Sequence, residues 1–294
     1  MTREEIIKKV RDIRIETGRK VTSRLIGSYR SAFRGQGMSF SEIRKYYSGD
    51  DVRFISWTST AKNRKLFVKD YKEDRSVNLI FAVDCSKTME FWSKEITKKE
   101  FTAEIIASLS FAALKVGDRV GGVFFNDVVE EYIKPKASLK NALTTIDTTL
   151  TTAGIGKANY SLVENFLRGI LKDTSIILFF SDFLMDKEII LNSAKSLQRL
   201  NIKHQVIPVM MMDPVEKSGP FLGFYKILDP ESGKVRNVLF SESTAAAYKK
   251  RIEEHTVNVS RIFTKHGLDI IPITLGEDYV KKFSLYFKKK SGRF

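Results

Sequence analysis

The stretch VNLIFAVDCSKT, residues 77–88, decides the fold. Its first seven residues are apolar at nearly every position and rich in branched and aromatic side chains, which predicts a central strand covered on both faces of a sheet. A polar loop follows, then a helical pattern from about Lys94 to Val116. A strand feeding a helix through a polar loop is half of an α/β unit, and such sheets bind ligands beyond the carboxyl ends of their strands. Asp84, Ser86 and Thr88 sit at that end. Alternate residues of an extended turn face the same way, so their oxygens converge while Cys85 and Lys87 point elsewhere. Hard oxygen donors of this kind suit Mg²⁺ or Mn²⁺.

A second carboxylate is expected from SIILFFSDF, where a buried-strand pattern from Ser175 to Phe180 ends in Ser181-Asp182. If the two strands are neighbours, Asp182 lies at the same edge as Asp84, and two carboxylates balance a divalent charge. Each loop alone also reads as a turn or a helix N-cap, since Asp, Ser and Thr favour both.

With 294 residues the chain can bury one large core or two modest ones. No window approaches the uncharged apolar length of a membrane span, and MTREEIIKKVRDIR is charged where a signal peptide is apolar. A single cysteine rules out an intramolecular disulfide, so a cytoplasmic location is the expectation. Cys85 lies inside the key turn, yet none of the three histidines is adjacent to it in sequence, and it reads as a small space-filling residue. The formal charge of +15 permits anionic partners, including peripheral contact with anionic lipid. Nineteen Lys and Arg stand against ten Asp and Glu in the first seventy-six residues, and the chain ends KKFSLYFKKKSGRF. No nucleic-acid-binding signature accompanies these charges, so no specific nucleic acid is expected, and the end reads as a solvated basic tail.

Three regions follow: a basic amino-terminal lobe over 1–76, an α/β domain over 77–275, and the tail from 276. A helix is predicted over 4–30, then an irregular lobe from Phe40 to Trp57. Leu66–Tyr71 alternates like an edge strand and is expected to turn through residues 72–75 straight into the Val77 strand, joining this lobe to the sheet. Further strands are predicted over Arg119–Phe125, Val128–Ile133 (an antiparallel edge), Ser175–Phe180, His204–Met211 and Ile270–Leu275, and helices over Leu139–Leu150, Ser161–Leu171, Lys187–Leu200 and Ser243–His266. FYKILDPESGKVRNVLF reads as a hairpin within an insertion over 213–241.

With these elements placed, the chain resembles a von Willebrand factor type A domain, and more specifically the bacterial domain-of-unknown-function family fifty-eight (DUF58). The resemblance is carried by GQGMSFSEIRKYYSGDDVRFISW, LFVKDYKEDRS, the DCSKTM turn, GDRVGGVFF and SDF. It implies a mostly parallel sheet with helices on both faces. It also implies a metal-ion-dependent adhesion site: Asp84, Ser86 and Thr88 from the first loop, Asp182 from the last. The middle loop departs from the family pattern. Ala158 stands where a threonine is usual and cannot ligate, leaving Asn159 or Ser161 as substitutes. In such domains a partner protein presents a carboxylate to the metal, and the resemblance implies a MoxR-type AAA+ ATPase as partner in assembling or activating other proteins. The expectation is therefore a non-enzymatic, metal-dependent interaction module. Two alternatives stand beside it. Asp84-x-Ser86-x-Thr88 is similar to the first motif of haloacid-dehalogenase-type phosphatases, with Ser86 replacing their second Asp; and the basic lobe and tail suit binding to nucleic acid or an anionic membrane. The segment Gly49-Asp50-Asp51-x-Arg53 reads as a turn capped by Asp50 with Arg53 paired locally.

Overall fold

A computed structural model describes residues 23–33, 39–63, 65–72, 76–91, 93, 96–220, 222–228 and 235–291. In chain order the helices are α1 (Ser23–Phe33), α2 (Trp57–Asn63), α3 (Lys98–Lys115), α4 (Leu139–Thr151), α5 (Tyr160–Ile170), α6 (Lys187–Asn201), α7 (Pro214–Ser218), α8 (Glu242–Lys265) and α9 (Tyr279–Ser291). The strands are β1 (Ser39–Lys45), β2 (Phe67–Lys72), β3 (Asn78–Asp84), β4 (Arg119–Phe125), β5 (Val129–Lys136), β6 (Ser175–Ser181), β7 (Gln205–Met212), β8 (Gly223–Leu228), β9 (Val235–Phe240) and β10 (Ile271–Thr274).

Six strands form the central sheet in the order β10-β7-β6-β3-β4-β5, all parallel except β5. β3 is central, and its side chains alternate between two apolar layers. Leu79, Phe81 and Val83 pack with α1, α3, α4 and α9 on one face; Ile80 and Ala82 pack with α5, α6 and α8 on the other. The fold is thus a mostly parallel α/β sandwich. The exposed edge strand β5 carries Glu130, Glu131, Lys134 and Lys136, charges that discourage pairing with another chain. Its partner β4 holds Gly121 at a register shift, where an added Cβ would come within 2.4 Å of the Ile133 carbonyl oxygen, so no larger residue fits.

Two expectations change. β2 does not join the main sheet: it pairs antiparallel with β1 in a separate two-stranded sheet, because β4 and β6 already occupy both edges of β3. The carboxyl-terminal segment is not a solvated tail. Its lysines ride on α9, whose Phe283 and Phe287 are fully buried against α1, with the Tyr29 and Phe287 rings 5.9 Å apart and edge-on. Most of the helix expected over 4–30 lies outside the described residues; its described part runs from Ser23 to Phe33. The turn before Asp51 is closed by Asp50 as read, its Oδ2 accepting from the Tyr47 N–H at 2.9 Å, and Arg53 pairs locally with Asp51, which caps the next short turn, Val52–Phe54. Asp50 also grips Arg44 through both oxygens, at 2.7 and 2.8 Å.

The β8–β9 hairpin is a sheet of its own, and its end loop lies outside the described residues. A lone hairpin is marginal in water. Here Phe240 anchors it, stacked edge-on against Tyr248 of α8 and Tyr225 of the facing strand. Among the described residues no helix is long and apolar enough to cross a membrane.

Replacing Phe283 by Ala is expected to lower unfolding free energy by about 3–5 kcal/mol, the cost of emptying a fully buried phenyl site. Urea melts of the two proteins measure it; a solvated tail would give overlapping curves.

Candidate metal centre

β3 and β6 run parallel in the register Asn78↔Ser175 to Val83↔Phe180, so the two strands end side by side. Asp84 is the last residue of β3 and Ser181 the last of β6. The Ser181 hydroxyl donates to Asp84 Oδ2 at 2.6 Å, and the Ser86 backbone N–H donates to Asp84 Oδ1 at 2.8 Å. Ser181 Oγ in turn accepts from the Tyr160 hydroxyl and, at 3.2 Å, from the Phe183 N–H. Beyond Asp84 the chain enters a 3-10 turn over Lys87–Glu90 that brings Ser86 Oγ to 3.2 Å from Thr88 Oγ1. Asp84, Ser86 and Thr88 are thus linked by hydrogen bonds, and Asp182 follows Ser181 at the same sheet edge, with all but half-exposed Thr88 buried.

Asp182 follows β6 directly, and its successor Phe183 has φ +51°, a left-handed conformation costly for a side chain of this size. Packing holds it there: the Phe183 ring stacks on Tyr160 at 5.5 Å and meets Phe263 edge-on at 5.0 Å. The strained residue fixes the direction in which Asp182 leaves the strand. Asp182 Oδ1 accepts from the Leu184 N–H at 3.1 Å, and Oδ2 accepts from Lys98 Nζ at 2.8 Å.

Lys98 is the residue that sequence reading missed. It opens α3, is fully buried, and its ammonium also reaches Glu216 Oε1 at 2.7 Å. Glu216 closes the capping box of α7: its Oε2 accepts from the Asp213 N–H, and Asp213 caps the helix through Val215 N–H. Asp213 also binds both the backbone N–H and the hydroxyl of Ser93, in the loop that follows the Asp84 turn. The capping box was readable in Asp213-Pro214-Val215-Glu216. Nothing local marked Lys98, since a lysine in the first turn of a helix ordinarily points to water.

The charges set the proton affinities. Burial and the neighbouring Asp182 carboxylate push Asp84 up to about 6, against weaker opposition from the Ser181 and Ser86 hydrogen bonds. Asp182 is equally buried, but the Lys98 ammonium, the Leu184 N–H and the Thr88 hydroxyl together hold it below the usual carboxylate range. For Lys98, burial alone would favour the neutral amine; Asp182 and Glu216 reverse this and raise it above the ordinary lysine value. Burial and Asp84 push the Cys85 thiol up to about 12, so it is inert and space-filling, as its place in the turn suggests.

The middle loop sits on the first: the Ile155 N–H donates to the Cys85 carbonyl at 3.0 Å and the Gly154 N–H to Glu90 Oε1 at 2.8 Å. The Ala158 methyl packs against the second apolar layer. Asn159 is committed elsewhere, its Oδ1 accepting from the Leu162 N–H as the N-cap of α5. Ser161 Oγ pairs with Ser196 of α6. Oxygen donors thus come from the first and last loops. Two carboxylates and two hydroxyls are a hard donor set that fits Mg²⁺ or Mn²⁺ in chemistry and charge, and among the described residues no cationic side chain pairs with buried Asp84. Among the described residues no group of three or more His, Cys, Asp or Glu is placed to hold a metal ion, so such a site depends on its hydroxyls.

The sheet order, with a polar loop cluster at the carboxyl edge of its central strands, defines a von Willebrand factor A-type domain. The chain belongs to the family described as "Protein of unknown function DUF58", whose model matches residues 42–258. It is 22% identical over 275 residues to the uncharacterized protein Mb1516 of Mycobacterium bovis, covering 92% of this chain and 85% of that one. Among solved structures it is similar to the conserved hypothetical protein BatB from Bacteroides thetaiotaomicron, at 15% identity and a TM-score of 0.50, over 74% of this chain and 100% of that one. A von Willebrand factor type A structure from Catenulispora acidiphila matches 76% of this chain and 44% of its own, at 9% identity and a TM-score of 0.42.

Ser181→Ala removes the hydroxyl donor to Asp84 and the acceptor for Tyr160. It is expected to cost about 1–3 kcal/mol of stability, as buried polar groups lose partners. Chemical denaturation reads this directly, and a loss under about 0.5 kcal/mol would mean that the Ser181 bonds hold nothing in place.

Proposed function

We propose that this protein is a non-catalytic interaction module that recognises a partner through a divalent cation at the carboxyl edge of β3 and β6. One observation carries the reading: two buried carboxylates and two hydroxyls, from loops far apart in sequence, meet at the adjacent carboxyl ends of β3 and β6. Asp84, Ser86, Thr88 and Asp182 would hold Mg²⁺ or Mn²⁺. The cation would supply an electropositive position for a carboxylate of the partner, in a site poor in water where such attraction is strong. The residues do the rest. Ser181 and the Ser86 N–H orient Asp84, and the left-handed turn at Phe183 orients Asp182. Both Asp84 oxygens already accept hydrogen bonds, an arrangement suited to a fixed ligand and poorly suited to a nucleophile. The partner class implied by family resemblance is a MoxR-type AAA+ ATPase.

Mg²⁺ or Mn²⁺ at a hundred times its dissociation constant should stabilise the wild type by about 2.7 kcal/mol and raise its Tm accordingly, while Asp84→Ala should not respond. Identical melting curves for the wild type with metal and with chelator would remove the cation from the proposal. For the partner, a MoxR-type ATPase should co-purify with the wild type in Mg²⁺ and be lost both with chelator and from Asp84→Ala. Retention in chelator would assign the contact to another surface.

A further inference from the structure

Lys98 is an internal cation beside a site that suits an external one. A buried ammonium is costly unless fully paired. Its two carboxylates come from different structures: Asp182 from the candidate site, and Glu216 from the capping box of α7 at the root of the β8–β9 hairpin. The same root is fastened by Ser93 to Asp213 and by the Tyr248 hydroxyl, which donates to the Glu216 carbonyl at 2.8 Å. The Phe91 ring centre lies 5.9 Å from Lys98 Nζ. Asp182 therefore divides its charge between Lys98 and whatever binds beside Asp84.

We infer that Lys98 is a tethered competitor for Asp182, shared with Glu216, so that cation binding at the site and the attachment of the hairpin root to it are thermodynamically coupled. The inference rests on the cation reading of the site. A divalent ion at Asp84 and Asp182 draws on the carboxylate that Lys98 neutralises and repels the ammonium toward Glu216. By linkage, whatever strengthens the Lys98–Glu216 pair favours the cation, and whatever weakens it disfavours the cation. Glu216 is a positioning residue here: it acts on the site only through Lys98.

The test is Mn²⁺ titration of the full chain, by calorimetry or by electron spin resonance of free Mn²⁺, for the wild type, Lys98→Met, Glu216→Gln and the double variant. Lys98→Met should bind Mn²⁺ about tenfold or more tightly, because Asp182 no longer shares its charge. Glu216→Gln keeps the capping geometry but leaves Lys98 wholly to Asp182, and should bind several-fold more weakly. In the Lys98→Met background the Glu216→Gln change should have almost no effect. This non-additivity separates the shared ammonium from a general change in net charge, which would give additive effects. Unchanged or weaker binding by folded Lys98→Met, or full additivity, overturns the inference while leaving the cation site standing. If Lys98→Met does not fold, Glu216→Gln alone decides: unchanged or tighter binding overturns the inference. Absence of Mn²⁺ binding in the wild type and every variant overturns both the inference and the cation reading. Binding that appears only in Lys98→Met supports Lys98 as the resident cation.

Discussion

The parallel pairing of β3 with β6 is the constraint on which the site depends. With Val83 opposite Phe180, the next residues in line are Asp84 and Ser181, and the hydrogen bond between them shows that the register carries through to the strand ends. Because side chains alternate, Ser181 and Asp182 leave β6 toward opposite faces. Ser181 reaches Tyr160 of α5 on one side; Asp182 reaches Lys98 of α3 on the other. A slip of one residue would exchange these partners and bury Asp182 against the aromatic layer with no cation beside it. The apolar runs that fill both faces of the sheet thus also decide which carboxylate receives the ammonium.

That placement divides the two carboxylates electrostatically. Both are buried, and burial works against the ionised form of each. Of these two carboxylates only Asp182 pairs with Lys98, which keeps Asp182 ionised, and the resulting negative charge is one reason why Asp84 is raised. The site is therefore asymmetric before any ligand arrives: one carboxylate is neutralised by a permanent internal charge, the other is poised to gain from an external one. Fixed donors and a strained but tightly packed Phe183 hold the pair, so little rearrangement is needed when a ligand binds.

Much of this was legible in the sequence, and what was not follows a physical pattern. Asp84 and Asp182 could be read because a strand buried on both faces forms an apolar run, and the first polar residues after such a run stand at the sheet edge. The fate of β2 could not, since edge alternation says that a strand pairs on one side without saying with what. The carboxyl-terminal helix was obscured by its lysines, although Tyr279, Phe283, Tyr286 and Phe287 recur at helical spacing and form the stripe that meets the core. Lys98 was illegible for a different reason. Its partners lie 84 and 118 residues away, and only their convergence turns a helix-opening lysine into a buried counter-ion.

The middle loop shows why that counter-ion matters to recognition. In this chain the loop is bound to the first one through its backbone, Ala158 faces the apolar layer, and Asn159 is consumed as a helix cap. The loop fixes the wall of the site without contributing a donor from either residue. On the opposite side the wall is α7, and it is tied to the site by side chains: Lys98 to Glu216 and Ser93 to Asp213. An ammonium shared between two carboxylates responds to any charge placed beside either of them. On the proposed cation reading, occupancy of the site would therefore reach α7, from which the hairpin extends with Phe224 almost fully exposed.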